Sequence, residues 1–203
     1  MSKELSVQLA PLARPDATTP VWLRTTGIVL CGSALAAICA HVCLPLYFTP
    51  VPLSLAPFAV LFLGLLLGPR MAAATFGAYL AEGAMGLPVF APSPLTPGGL
   101  AHLFGPTGGY LLAYPLAAAL ISFLWRRAGR RTGRGLSAAL IGAAAGDLVI
   151  LACGALWLAD LTHASAQSVL SLAVLPFLAG DALKIAAAAA LATGFQRLRR
   201  HNP

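Results

Sequence analysis

Charge is what this sequence has least of. Its 203 residues include 13 Lys and Arg and 6 Asp and Glu, 9% in all, where a soluble domain carries about 25%. Apolar residues make up 59%, and the mean hydropathy is +0.84. A soluble fold of this length leaves much of its surface in water and cannot hide so much apolar area. The shortage of charge therefore excludes an ordinary soluble enzyme, a disordered chain and a coiled coil, and leaves an integral membrane protein. Lysine is scarcer still. Only Lys3 and Lys184 occur, and neither follows a Gly-x-x-x-x-Gly spacing, so the chain has no phosphate-binding loop of its own. Any active transport it takes part in must draw on an ion gradient or a partner ATPase. Cysteine is limited to Cys31, Cys39, Cys43 and Cys153, all in apolar runs and none in a Cys-x-x-Cys pair. They read as small buried residues. No metal site is expected, because His41 points away from the face that Cys39 and Cys43 share. The first twenty residues lack an apolar core, so no cleavable leader is expected there.

The charge that is present is lopsided. The formal net charge is +7, yet the basic residues sit in short clusters between apolar runs. That pattern marks topology and contact with anionic headgroups of the lipid bilayer rather than nucleic acid. A spanning helix needs about 20 residues, and the apolar runs predict six spans, near residues 21–46, 58–68, 71–86, 110–125, 136–158 and 172–195. Pro45, Pro50, Pro52 and Pro57 break the pattern after the first run. Residues 87–109 are so rich in Pro and Gly that no helix is expected in them, and residues 160–171 predict a polar loop. With the N-terminus inside, the inner segments hold Lys3, Arg14 and Arg24, then Arg70, then Arg126, Arg127, Arg130, Arg131 and Arg134, then Arg197, Arg199 and Arg200. The outer loops hold no basic residue, and Lys184 lies within the sixth span. The expected fold is an all-α integral membrane protein of six transmembrane helices, with N- and C-termini cytoplasmic and irregular Pro/Gly-rich outer loops. Residues 1–20 are expected to be a cytoplasmic tail, 21–196 a six-helix membrane substrate-binding domain, and 197–203 a basic cytoplasmic tail. No internal repeat of the inverted-transporter kind is visible.

Ionisable groups inside a membrane are costly and usually functional. The apolar runs contain Glu82, Asp147, Asp181 and Lys184. Asp181 and Lys184 are three apart and share a helix face. One reading is a paired acceptor and donor in a binding cavity. The other is a self-neutralising pair with the lysine snorkelling outward, which its mid-span position disfavours. Asp147, among small residues, either bonds a neighbouring helix or supports the site. Glu82, near the outer end of the third run, is expected to be interfacial and solvated. The segment 87–109 is too apolar for a solvated loop, with Leu87, Val89, Phe90, Leu95, Leu100, Leu103 and Phe104 in it. Irregular backbone at membrane depth is tolerated where it lines a cavity. His102, a single histidine without partners, reads as incidental. Gly32, Ala36 and Ala40 recur every four residues and would let another helix approach closely.

Several motifs in order resemble one family. They are Pro50-Val-Pro52-Leu-Ser-Leu, Leu65-Leu-Leu-Gly68-Pro69-Arg70, Tyr79-Leu-Ala-Glu82-Gly-Ala-Met-Gly86-Leu-Pro88-Val-Phe90, Gly105-Pro106-Thr107-Gly108-Gly109-Tyr110-Leu and Leu175-Pro176-Phe177-Leu-Ala-Gly180-Asp181-Ala-Leu-Lys184. Together they resemble BioY, the biotin-binding S components of energy-coupling factor (ECF) vitamin transporters, over about residues 21–196. The resemblance implies a six-helix protein of the bacterial cell membrane that captures biotin from outside with high affinity. It also implies a transmembrane coupling subunit and two cytoplasmic ATPases as partners, with ATP used only by those partners. Self-association of the chain stays open. Family binding residues carry over to Asp181 and Lys184. The Gly-Pro-Thr-Gly-Gly-Tyr segment is implied to line the same cavity, which puts Gly108, Gly109 and Tyr110 there, with Gly99, Phe90 and Phe177. The ridge Gly32, Ala36 and Ala40 matches the family's coupling-subunit contact on the first helix. The chain departs from many relatives after Phe90, where Ala-Pro-Ser-Pro-Leu-Thr-Pro replaces Asn or extra Gly, so Ser93 or Thr96 would have to substitute for an amide contact.

The chemistry of biotin fits these residues: a ureido group with two N–H donors and one carbonyl, an apolar thioether ring, and a carboxylate tail. An Asp/Lys pair can satisfy the ureido edge, or Lys184 can take the carboxylate. Phe90, Tyr110, Phe177 or Trp157 can pack on the apolar part. No cofactor is expected. Three other readings compete: an S component for another small vitamin, a small membrane enzyme using Asp147, Asp181 and His102, and a purely structural subunit. The enzyme would need a nucleophile–base pair or a metal cluster, and no such constellation is evident, so no enzymatic activity is expected. The structural subunit would leave Asp181 and Lys184 without a purpose.

Overall fold

The first apolar run becomes α1, Val21–His41. It stops short of residue 46 because of Pro45, whose ring clashes with the carbonyl four residues back and holds the preceding residue extended. Leu44 accordingly lies in a short strand, β1 (Cys43–Leu44), paired antiparallel with β2 (Leu53–Ser54). The Leu55 amide donates to the Val42 carbonyl at 2.9 Å and closes the hairpin. The computed structural model in which these elements are seen describes residues 20–93, 98–131 and 135–201. The expected tail up to Arg14, Thr96, Arg134 and the last two residues lie outside them.

Two short helices follow. Each has a proline in its first turn, where a missing N–H costs nothing: α2 (Ala56–Leu66) and α3 (Pro69–Ala84). Among the described residues of the Pro/Gly segment the composition prevails except at two places. Leu100–Leu103 forms a single turn, α4, and Gly108 and Gly109 open the next helix, α5 (Gly108–Arg131), instead of closing the loop. The expected polar loop at 160–171 is corrected too. Helix α6 (Leu136–Thr162) runs into it and ends where His163 turns left-handed at φ 50°. A further helix, α7 (Ala166–Ala173), starts at Ser165, whose Oγ accepts from the Ser168 amide at 3.3 Å. That cap, with Val169 and Ala173 four apart and both buried, makes an amphipathic helix of about two turns that polarity alone concealed. The last helix, α8, spans Leu175–His201 with Pro176 in its first turn.

Among the described residues four helices are long and apolar enough to cross a membrane: α1, α5, α6 and α8. The apolar α2 has 11 residues, about 16 Å of helix, and α3 has 16, about 24 Å; the hydrocarbon core is about 30 Å thick. The chain is thus an all-α, multi-pass membrane protein, and four of the expected spans are helices long and apolar enough to cross.

Helix α5 is the hub. It packs on α6, α3 and α2, while α2 reaches α8 and α1 rides outermost on α3 and α2. Absent side chains make the tightest contact possible: a Cβ on Gly154 of α6 would fall 2.2 Å from the Tyr110 ring of α5. Toward one end Leu61, Leu65, Ile121 and Trp125 close the core against Ala188, Ala189 and Ala192. Toward the other, Phe76 and Tyr114 meet edge to face with ring centroids 6.0 Å apart.

The small-residue ridge on α1 takes part in this packing. Gly32, Ala36 and Ala40 all point inward and are buried. A Cβ on Gly32 would sit 2.6 Å from the Thr75 methyl of α3. The ridge lets α1 approach the chain's own helices. Next to it the Ser33 hydroxyl donates to the Glu82 carboxylate of α3. Glu82 is half-buried and tied between two helices, not solvated at the interface.

Candidate ligand-binding site

A cavity opens where α5, α6 and α8 diverge beneath the hairpin. Its polar side belongs to α8. Asp181 and Lys184 fall on one face of that helix, and Lys184 Nζ donates to Asp181 Oδ1 at 2.9 Å. Both side chains are more than nine-tenths buried. Lys184 is nine residues into α8, about 13 Å below its start, and its bond goes to Asp181 rather than outward, so it does not snorkel. A buried pair of this kind is weak evidence for stability, since desolvation offsets its attraction. It makes more sense as a donor and an acceptor held ready in a cavity wall.

Across from the pair stand α5 and α6. Tyr110, Leu111, Tyr114, Asp147, Ile150 and Leu151 line that side. Asp147 is 5% exposed and shares the cavity with both α8 charges. Two of the wall's hydroxyls are committed to backbone: Tyr110 donates to the Ala173 carbonyl at 2.7 Å and Tyr79 to the Val89 carbonyl at 3.1 Å. Each bond ties a cavity wall to a connecting segment. The roof is the hairpin, with Val51, Pro52 and Ser54 facing in. It is pinned by the Thr49 hydroxyl, which donates to the Leu172 carbonyl at 2.7 Å. Phe177 supplies an apolar wall and meets Tyr110 at 6.2 Å between ring centroids. The Thr107 hydroxyl lies at the rim, buried and without a protein partner among the described residues.

Of the expected site residues, the structure therefore brings together Asp181, Lys184, Tyr110 and Phe177. It removes four. Phe90 stands behind the wall rather than in it: its ring sits against Gly83, where a Cβ would come within 2.0 Å, and stacks on His102 at 5.2 Å. Gly99 lies in the described backbone at φ 78°, a left-handed conformation that glycine adopts without strain, and turns the chain into α4. Gly108 and Gly109 face α6 and the Leu103 carbonyl, with a Cβ on Gly109 falling 2.2 Å from Trp157 Cβ. They serve close helix packing. Trp157 also misses the cavity; its Nε1–H donates to the Gly105 carbonyl at 2.9 Å and holds the loop.

Tyr79, Tyr114 and His102 are among the lining residues not expected as site residues. Tyr79 and Tyr114 come from the interiors of α3 and α5, where an aromatic in an apolar run looks like core. His102, read as incidental, is 4% exposed and faces the cavity. Burial pushes its imidazole below the ordinary 6.5, because a buried cation loses its hydration. Among the described residues no group of His, Cys, Asp and Glu is arranged to hold a metal ion.

Comparison with known proteins agrees with this architecture. The model of the BioY family matches residues 9–201. The "Probable biotin transporter BioY" of Pyrococcus horikoshii is 38% identical over 147 residues, 72% of this chain and 82% of the relative. The "Biotin transporter BioY" of Thermotoga maritima is 32% identical over 174 residues, 82% of this chain and 92% of the relative. A crystal structure described as the S-component for biotin from an ECF-type ABC transporter superposes with a TM-score of 0.77 at 28% identity, covering 88% of this chain and 92% of that one. A family match over nearly the whole chain, and a shared fold of the same extent, leave one conclusion: the chain belongs to the BioY family.

Proposed function

We infer that the chain is the biotin-binding S component of an ECF-type uptake transporter, a transport subunit and not an enzyme. The observation that carries this reading is the buried Asp181–Lys184 pair in the wall of a cavity, in a chain whose relatives are biotin transporters. Lys184 is already bonded to a carboxylate at 2.9 Å. A second carboxylate brought to it would face Asp181, so the pair suits a neutral head with both donors and an acceptor. The ureido ring of biotin is such a head: one N–H goes to Asp181 and the carbonyl accepts from Lys184. Phe177 and Tyr110 flank the apolar rings, and the carboxylate tail points to the rim, where the Thr107 hydroxyl can donate to it.

Six crossings fit best: α1, α2 with its hairpin, α3, α5, α6 and α8. Up-and-down alternation then gathers the exposed arginines Arg24, Arg70, Arg126, Arg127 and Arg197 at one end, the cytoplasmic one by the positive-inside rule. That end meets the coupling subunit and the two ATPases, which supply the energy that a chain without a phosphate-binding loop cannot. Among the exposed residues of α1, Gly27, Cys31 and Ala34 are small and share one outward face that a partner helix could approach. Titration calorimetry of the purified protein with biotin, thiamine, riboflavin and folate tests the assignment. One molecule of biotin should bind tightly and the others not at all. No heat with biotin, together with binding of another vitamin, would replace biotin as the ligand.

A further inference from the structure

Asp147 is left over when the ureido ring is set against Asp181 and Lys184. It sits in the wall formed by α6, immediately after Gly146, where a Cβ would fall 2.3 Å from the Ile121 side chain. That missing side chain brings α6 against α5 and carries Asp147 to the cavity. The residue is 5% exposed and lines the same space as Asp181 and Lys184. Its carboxyl makes no hydrogen bond and no ion pair with another described residue. A buried carboxyl in that state is costly unless a donor reaches it. Three donors of the wall are spoken for, Lys184 by Asp181, Tyr110 by the Ala173 carbonyl and Tyr79 by the Val89 carbonyl, and the Tyr114 and Thr107 hydroxyls, which line the same cavity, make no hydrogen bond to Asp147. Asp147 is thus open to a donor carried by what fills the cavity.

Resting on the reading that biotin enters ureido first, we propose that Asp147 determines specificity by accepting the second ureido N–H. The ureido edge runs donor, acceptor, donor. The cavity wall offers carboxyl, ammonium, carboxyl in Asp181, Lys184 and Asp147. Each polar atom of the head then meets one complementary side chain, and a head with a single N–H leaves Asp147 buried and unsatisfied. Sites built to bond a particular N–H reject analogues that lack it far more strongly than apolar pockets reject a missing methylene.

The test titrates biotin, and the two biotin isomers bearing a methyl on one or the other ureido nitrogen, into wild-type, Asp147→Ala and Asp147→Asn protein. A hydrogen bond to a buried carboxyl implies that Asp147→Ala weakens biotin about five- to a hundredfold. Wild-type protein should reject both methyl isomers. Asp147→Ala should accept one of them about as well as it accepts biotin, because the methyl group and the substitution delete the same bond. Asp147→Asn keeps the shape of the side chain, and its melting temperature in the absence of biotin should match the wild type. Biotin affinity within twofold of wild type in Asp147→Ala overturns the assignment, as does a loss that adds in full to the losses of both isomers. Wild-type protein that binds no biotin overturns the reading of the cavity itself, and this assignment with it.

Discussion

Removing Lys184 alone and removing it together with Asp181 should have opposite effects on stability and the same effect on binding. The two side chains are more than nine-tenths buried and joined by one bond of 2.9 Å. Lys184→Met leaves the Asp181 carboxylate in a low-dielectric wall without its partner, a loss of about 3–5 kcal/mol. For a chain of this length that lowers the melting temperature by roughly 6–20 °C, at about 2–4 °C per kcal/mol. The double substitution Asp181→Leu with Lys184→Met removes both charges at once. Replacing a buried pair by apolar side chains is commonly neutral or stabilising, so the double variant should melt at or above the wild-type temperature. Neither variant should bind biotin well. Two charge-assisted bonds to the ureido group are worth about 3–6 kcal/mol, a loss of about two to four decades in affinity. Melting curves in detergent and calorimetry on the same three preparations give both numbers. Biotin affinity within tenfold of wild type in the double variant would refute the site, and a single variant as stable as wild type would refute the burial argument.

Other consequences follow from particular contacts. Ser33→Ala deprives the half-buried Glu82 carboxylate of its donor and should lower stability by about 1–3 kcal/mol, visible in a melting curve, with biotin affinity unchanged. Gly154→Val drives a side chain into the Tyr110 ring, where even a Cβ would sit 2.2 Å away, and should both destabilise the protein and abolish biotin binding in a titration. His102 is neutral in the folded protein because burial holds its imidazole below 6.5. The unfolded chain takes up the proton first, so stability is full above pH 6.5 and falls as the pH drops toward the lowered value. Melting temperatures across that range should fall for wild type and stay flatter for His102→Phe.

How far the sequence carried is clearest residue by residue. Asp181 and Lys184 were legible because three-residue spacing on a helix sets a face, and because charge in an apolar run has few reasons to exist. Pro45 and Pro57 punctuated the chain as backbone sterics require. The direction of a small-residue ridge was not legible. Gly32, Ala36 and Ala40 allow close approach from either side, and only the packing of α1 on α3 assigns them inward. Gly108, Gly109 and Phe90 kept their place in the family's motifs but serve packing around the cavity, one shell away from it, and spacing along the chain does not distinguish the two roles. Helix α7 hid behind serines that are helix-neutral in number but act as a cap at Ser165. Tyr79 and Tyr114 looked like core because they lie on short apolar stretches; their approach to the cavity depends on which faces α3 and α5 turn to α8.

The measurement closest to the central claim is an anomalous difference map from crystals of the protein grown with selenobiotin, in which selenium replaces the thioether sulfur. The account predicts one strong peak inside the cavity, between Phe177 and Tyr110, with the ureido head against Asp181 and Lys184 and the tail toward Thr107. A peak outside the cavity, or a head turned outward with the carboxylate on Lys184, would contradict it.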